Sequence, residues 1–182
     1  DTLTGCMDDG DSLLKNERDI DFERGSIFGR WNQVFAVFVP DSMDDSLVEG
    51  YFDSACDFYF DELKKKGDVF PILSSEDVRG HSRGVMLAME SSRGVGSLER
   101  LEKLYERGLR LITLTWNHKN RAAGGCDEGG GLTDWGRELV SKMEKLGIDT
   151  DVAHLSDRSF YDLCEFSDAP FIASHSDARA VH

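Results

Sequence analysis

The chain has 182 residues, 40% of them hydrophobic, which is enough for one sizeable buried core and too much for a disordered chain. Its 21 basic and 35 acidic residues give a formal charge of −14, which repels nucleic-acid phosphates and anionic lipid surfaces alike. No apolar run approaches the ~20 residues of a bilayer span, and the first ten residues, with three Asp and no base, do not read as a signal peptide.

The first predicted strand is Gln33 to Pro40, a nearly continuous apolar run of the kind buried on both faces of a parallel sheet. A helix follows, with Leu47, Tyr51, Phe52, Ala55, Phe58 and Leu63 spaced by threes and fours on one face, and Lys64 to Lys66 suit its carboxyl end. A second strand runs from Val85 to Glu90. Ser97 then caps a helix carrying Leu98, Leu101, Leu104 and Tyr105, which Gly108 stops. Leu111 to Trp116 is the third strand, and the glycine-rich tract Gly124 to Gly131 falls where a strand-to-helix loop belongs. Thr133 caps a helix with Trp135, Leu139, Val140, Met143 and Leu146, ended by Gly147. The strand Asp151 to His154, a short helix after Ser156, and the strand Phe171 to His175 complete the pattern.

Strand and helix alternate throughout, which fits a doubly wound sheet or a parallel barrel. No Gly-x-Gly-x-x-Gly follows the first strand, whereas Glu90, His154 and His175 each end a different strand, as a site on the carboxyl-terminal rim of a barrel requires. The expected fold is therefore α/β, a partial (β/α)8 TIM-like barrel with about five of eight strands, forming one incomplete domain over residues 1–182. Its open edges are expected to leave the isolated chain a homo-oligomer, aggregation-prone or only partly ordered. Cys6, Cys56, Cys126 and Cys164 show no paired spacing and are expected as free thiols in a reducing, cytoplasmic compartment.

In such a barrel the imidazoles of His154 and His175 would converge above the strands, and Glu90 adds a carboxylate able to bridge two ions. A hydrogen-bonded structural role for the histidines and a salt-bridged rim role for Glu90 explain the bare sequence as well.

The segments Leu114-Thr-Trp-Asn117, Gly131-Leu-Thr-Asp-Trp-Gly136, Asp151-Val-Ala-His-Leu-Ser156 and Ile172-Ala-Ser-His-Ser-Asp-Ala-Arg-Ala180 decide between these readings. Together with Asp19-Ile-Asp-Phe-Glu-Arg-Gly25 and Gln33 to Val39, their order and spacing resemble the membrane dipeptidase family of zinc peptidases. The resemblance implies a dinuclear zinc site that hydrolyses dipeptides through an activated water. Asp1 would be a ligand of the first ion, its His partner falling just before the chain. Glu90 would be shared by two zinc ions, His154 and His175 would complete the second, and Asp151 would support them. Trp116 and Asn117 would face the substrate. Trp116 stands where mammalian members place a substrate-contacting His and where bacterial members often have Trp, so the resemblance implies a bacterial-type variant with altered substrate contact.

The family's proton-transferring Asp and its substrate-binding Arg would lie past His182, so the chain is expected to be truncated at both ends and inactive on its own. Ser91-Ser92 departs from the glycines usual after the bridging Glu and is expected to crowd that loop. His118, His81 and His182 read as solvated loop residues. Other amidohydrolase-like barrels commonly use a carboxylated Lys at a strand end, and no Lys ends a strand here. A non-catalytic barrel remnant serving as a binding module is the third reading, against which the retained Glu90, His154 and His175 argue.

Overall fold

The computed structural model describes residues 2–177; the expected ligand Asp1, and His182 with it, lie outside the described residues. The elements are α1 (Thr2–Asp9), α2 (Phe22–Gly25), β1 (Trp31–Phe38), α3 (Asp45–Lys66), β2 (Phe70–Pro71), α4 (Ser75–Gly80), β3 (Arg83–Glu90), α5 (Leu98–Glu106), β4 (Leu109–Thr113), α6 (Asp134–Leu146), β5 (Asp149–Asp151), α7 (Asp157–Phe166) and β6 (Phe171–Ile172). A 3₁₀ turn, Ser92–Val95, links β3 to α5.

Every strand pairing is parallel, in the order β1-β3-β4-β5-β6. Parallel neighbours need a crossover connection, and the helices supply it. Because β1, β3, β4, β5 and β6 lie side by side in chain order, with no reversal, the sheet is part of a TIM-like barrel rather than a doubly wound sheet. β1 fills one edge of β3 along its whole length, so β2 and β4 share the other edge, β2 at Gly84 and Val85 and β4 from Leu87 to Glu90. The five expected strands are all present. The additional β2 is two residues long, too short to leave any periodicity in the sequence.

The caps read from the sequence form as expected. Ser97, Thr133 and Ser156 each accept a backbone N–H from the first turn of α5, α6 and α7, and Gly147 closes α6 at φ 80. The buried face of α3 differs from the one expected. Leu47 is 62% exposed, and the face runs through Val48, Phe52, Ala55, Cys56, Tyr59 and Leu63. Tyr59 decides the rotation, because its buried hydroxyl donates to the Val85 carbonyl of β3 at 3.0 Å and fixes the helix against the sheet.

The strands also end earlier than expected. Phe38, Glu90, Thr113, Asp151 and Ile172 form the last layer of the ladder, in register across the sheet. Trp116, His154 and His175 therefore sit three residues past the ends of β4, β5 and β6, on loops at one rim.

Among the described residues, β1 and β6 each keep one edge without a strand partner, and Phe171 and Ile172 are 42% and 38% exposed. Exposed apolar edges template association. The isolated polypeptide 1–182 is expected to sediment as oligomers, with fast amide exchange in β1 and β6; a monodisperse monomer protected in both strands would contradict this.

Candidate metal centre

Glu90 is the last residue of β3, buried beneath the two loops that carry His154 and His175. His154 Nε2 lies 3.1 Å from Glu90 Oε1, His175 Nε2 lies 3.7 Å from the same oxygen, and the two Nε2 atoms are 2.7 Å apart. These three residues, expected at the ends of three different strands, come together in the structure.

The other nitrogen of each ring has a partner that fixes its role. His154 Nδ1 faces the side-chain oxygen of Asn117 at 2.9 Å and must donate to it. His175 Nδ1 faces the Ser174 hydroxyl at 2.9 Å, and that hydroxyl gives its one proton to Asp151 Oδ2 at 2.5 Å, so it accepts from the ring. Both imidazoles thus turn an Nε2 lone pair inward, toward each other and toward a carboxylate oxygen.

Three electron-pair donors in mutual contact repel unless a cation lies among them, and one proton cannot satisfy all three. Tetrahedral zinc with bonds of ~2.0–2.1 Å spaces its ligand atoms ~3.4 Å apart, and the separations of 2.7 to 3.7 Å bracket that value. The residues present fit a metal ion.

His154 is held at φ 64, a left-handed conformation rare for a residue with a side chain. The glycine-rich loop imposes it. Cys126 N–H donates to the His154 carbonyl at 2.9 Å, Gly125 bridges to Leu155, and Ser156 N–H donates to the Gly124 carbonyl at 3.0 Å. A Cβ on Gly125 would meet the Asn117 and His118 carbonyls, so this approach requires glycine.

Asn117 therefore holds His154 by its side chain. Trp116 packs its ring on Phe38 at 5.0 Å and stands beside His154 at 6.3 Å, walling one side of the centre. His118 points elsewhere and pairs with Asp41 at 2.7 Å, a hydrogen bond that raises its pKa. The pair lines a separate polar cavity of about 710 Å³ with Arg93, Lys119 and Arg121. Ser174 was missed from the sequence; its place directly before His175 was the available signal.

The crowding expected at Ser91 appears as backbone strain. Ser91 sits at φ 83, immediately after Glu90, and its buried hydroxyl has no hydrogen-bond partner among the described residues. Ser92 is better placed and donates to the Leu114 carbonyl at 2.7 Å.

The family model for membrane dipeptidase, peptidase family M19, matches residues 13–182. An uncharacterized protein from the region 5' of pqqA in Klebsiella pneumoniae is 30% identical over 122 residues, covering 60% of this chain and 45% of that protein. A crystal structure described as dipeptidase AC, a metallo peptidase of family M19, superposes with a TM-score of 0.87 at 22% identity, over 100% of this chain and 62% of that one. A metallo peptidase from Rhodobacter sphaeroides, liganded with a phosphinate mimic of the dipeptide L-Ala-D-Ala, matches with a TM-score of 0.78 at 21% identity, over 100% and 64% of the two chains. These likenesses establish the fold. The chain spans less than half the length of the curated relatives it matches.

Replacing Ser91 with glycine removes both the left-handed strain and the unpartnered hydroxyl. Against the flexibility glycine adds to the unfolded chain, S91G is expected to stabilise the protein by about 1 kcal/mol. Chemical denaturation reads this, and a lower midpoint for S91G would refute it.

Proposed function

Since this chain belongs to the membrane dipeptidase family, peptidase family M19, we propose that it carries a large part of the centre of a metallo-dipeptidase that cleaves the peptide bond of dipeptides. The observation that carries this reading is the convergence of Glu90 Oε1 with two inward-facing Nε2 lone pairs. In this reading Glu90 would hold both of two zinc ions, His154 and His175 would complete the set around one of them, and Asp1 would serve the other. When bound, the zinc ions supply Lewis acidity that polarises the scissile carbonyl and brings the pKa of water toward neutrality.

The remaining work belongs to the chain's own side chains. Asn117 and Ser174 hold the two imidazoles in the tautomer that leaves Nε2 free. Trp116 offers an apolar wall against which a small substrate can lie while water is excluded. A dipeptide is supported by the Rhodobacter sphaeroides metallo peptidase, which is liganded with a mimic of one. The convergence of Glu90, His154 and His175, with both Nε2 atoms turned inward, favours a dipeptidase over a barrel remnant serving as a binding module, because a scaffold kept only for binding has no need of two matched tautomers.

No helix among the described residues is long and apolar enough to cross a membrane. The four cysteines are free thiols, two of them exposed, which fits a reducing compartment, and we place the protein in the cytoplasm.

In the full-length protein, E90Q, H154A and H175A are each expected to lower dipeptide hydrolysis by at least ~100-fold, because loss of mere supporting partners already costs 10–100-fold. Each should also lose bound zinc in elemental analysis. Residues 1–182 alone are expected to show no turnover, because the resemblance puts the proton-transferring Asp outside them. Full-length protein that hydrolyses dipeptides equally well with and without these three side chains would sink the proposal.

A further inference from the structure

Asp151, at the end of β5, is 2% exposed and takes four hydrogen bonds. Its Oδ1 accepts the backbone N–H groups of Ala153 and Ser174, each at 3.1 Å. Its Oδ2 accepts the hydroxyls of Thr113 at 2.8 Å and Ser174 at 2.5 Å. All four donors approach an acceptor that can only accept, so the direction of every bond is settled. Ser174 then has no proton left for His175, whose Nδ1 lies 2.9 Å from the Ser174 oxygen.

We infer that Ser174 is a positioning residue for metal binding, which relays the charge of Asp151 into the tautomer of His175. With Ser174 committed as donor to Asp151, His175 must carry its proton on Nδ1 and present Nε2 as a lone pair to the ion. Partners of this kind orient a ligating imidazole and raise its basicity. The inference rests on the metal-centre reading above and adds to it the residues that select the state of the ligand.

The relay has a consequence that a purely structural role for Ser174 lacks. In D151N the side-chain NH2 cannot face the Ala153 and Ser174 backbone N–H groups, because those donors cannot turn around. It must face the two hydroxyls, which can rotate. Ser174 then accepts from Asn and is free to donate to His175 Nδ1, which drives the ring proton to Nε2 and removes the lone pair from the centre. A triad Asp to Asn change that selects the wrong histidine tautomer acts through the same logic. The damage done by D151N thus passes through the Ser174 hydroxyl, and deleting that hydroxyl relieves it.

The experiment is zinc affinity of the full-length protein by chelator competition, with melting of the metal-free form as a control. S174A keeps the backbone bond to Asp151 and is expected to fold, with zinc bound about 10–100-fold more weakly. S174T, which keeps the hydroxyl, should recover most of that loss. D151N should bind more weakly than S174A, and the double variant D151N/S174A should bind more tightly than D151N alone. Wild-type affinity in S174A, or a double variant weaker than D151N, would overturn the relay while leaving the metal centre standing. If D151N does not fold, S174A against S174T still decides. A wild-type protein that binds no zinc would instead overturn the metal-centre reading, and the relay with it.

Discussion

The structure around the rim depends on one buried carboxylate. Asp151 holds Thr113 of β4, the backbone one residue before His154, and both the backbone and the hydroxyl of the residue before His175. Hydrogen bonds to a charged acceptor contribute roughly 1.5–3 kcal/mol each, and a buried carboxylate left without them would cost several kcal/mol. The loops after β5 and β6 therefore cannot drift independently. Both histidines are tied to the same carboxylate, His154 through Oδ1 and His175 through both oxygens.

That constraint works because the ladder beneath it is parallel and in register. Glu90, Thr113 and Asp151 occupy one layer of adjacent strands, so a carboxylate from β3 and a hydroxyl and carboxylate from β4 and β5 meet at the same height. Each of the two histidines then lies three residues past the end of its strand, above that layer. A doubly wound sheet would scatter these residues to two faces across its reversal of strand order. The tautomers complete the design, since each Nδ1–H is anchored and each Nε2 is left facing inward.

Four residues around the rim have physical readings as well. Ser91 bends the chain at φ 83 where glycine would do so without strain, and leaves a hydroxyl buried beside the metal centre. Trp116 supplies an apolar wall rather than a polar contact, braced by Phe38. Asn117 faces inward to His154 instead of standing free on the rim. His118, two residues beyond Trp116, belongs to the Asp41 pair and a different cavity.

Periodicity, caps and motif spacing were legible in the sequence because they are local. Short, nearly continuous apolar runs marked the strands, Ser97, Thr133, Ser156 and Gly147 marked the helix ends, and the polar residues near strand ends pointed to a shared rim. The same signals could not show where the ladder stops, because pairing is a property of two strands. His154 and His175 were therefore expected in strands and lie in loops. The rotation of α3 escaped for the same reason, since the bond from Tyr59 to Val85 joins segments 26 residues apart. The roles of Asn117 and Ser174 needed the fold too. Residue type determines that each can accept a hydrogen bond, whereas only the tertiary structure decided that it does so from a histidine ring, because the Asn117 bond to His154 spans 37 residues and Ser174 accepts from its neighbour His175 only because its own hydroxyl donates to Asp151, 23 residues away.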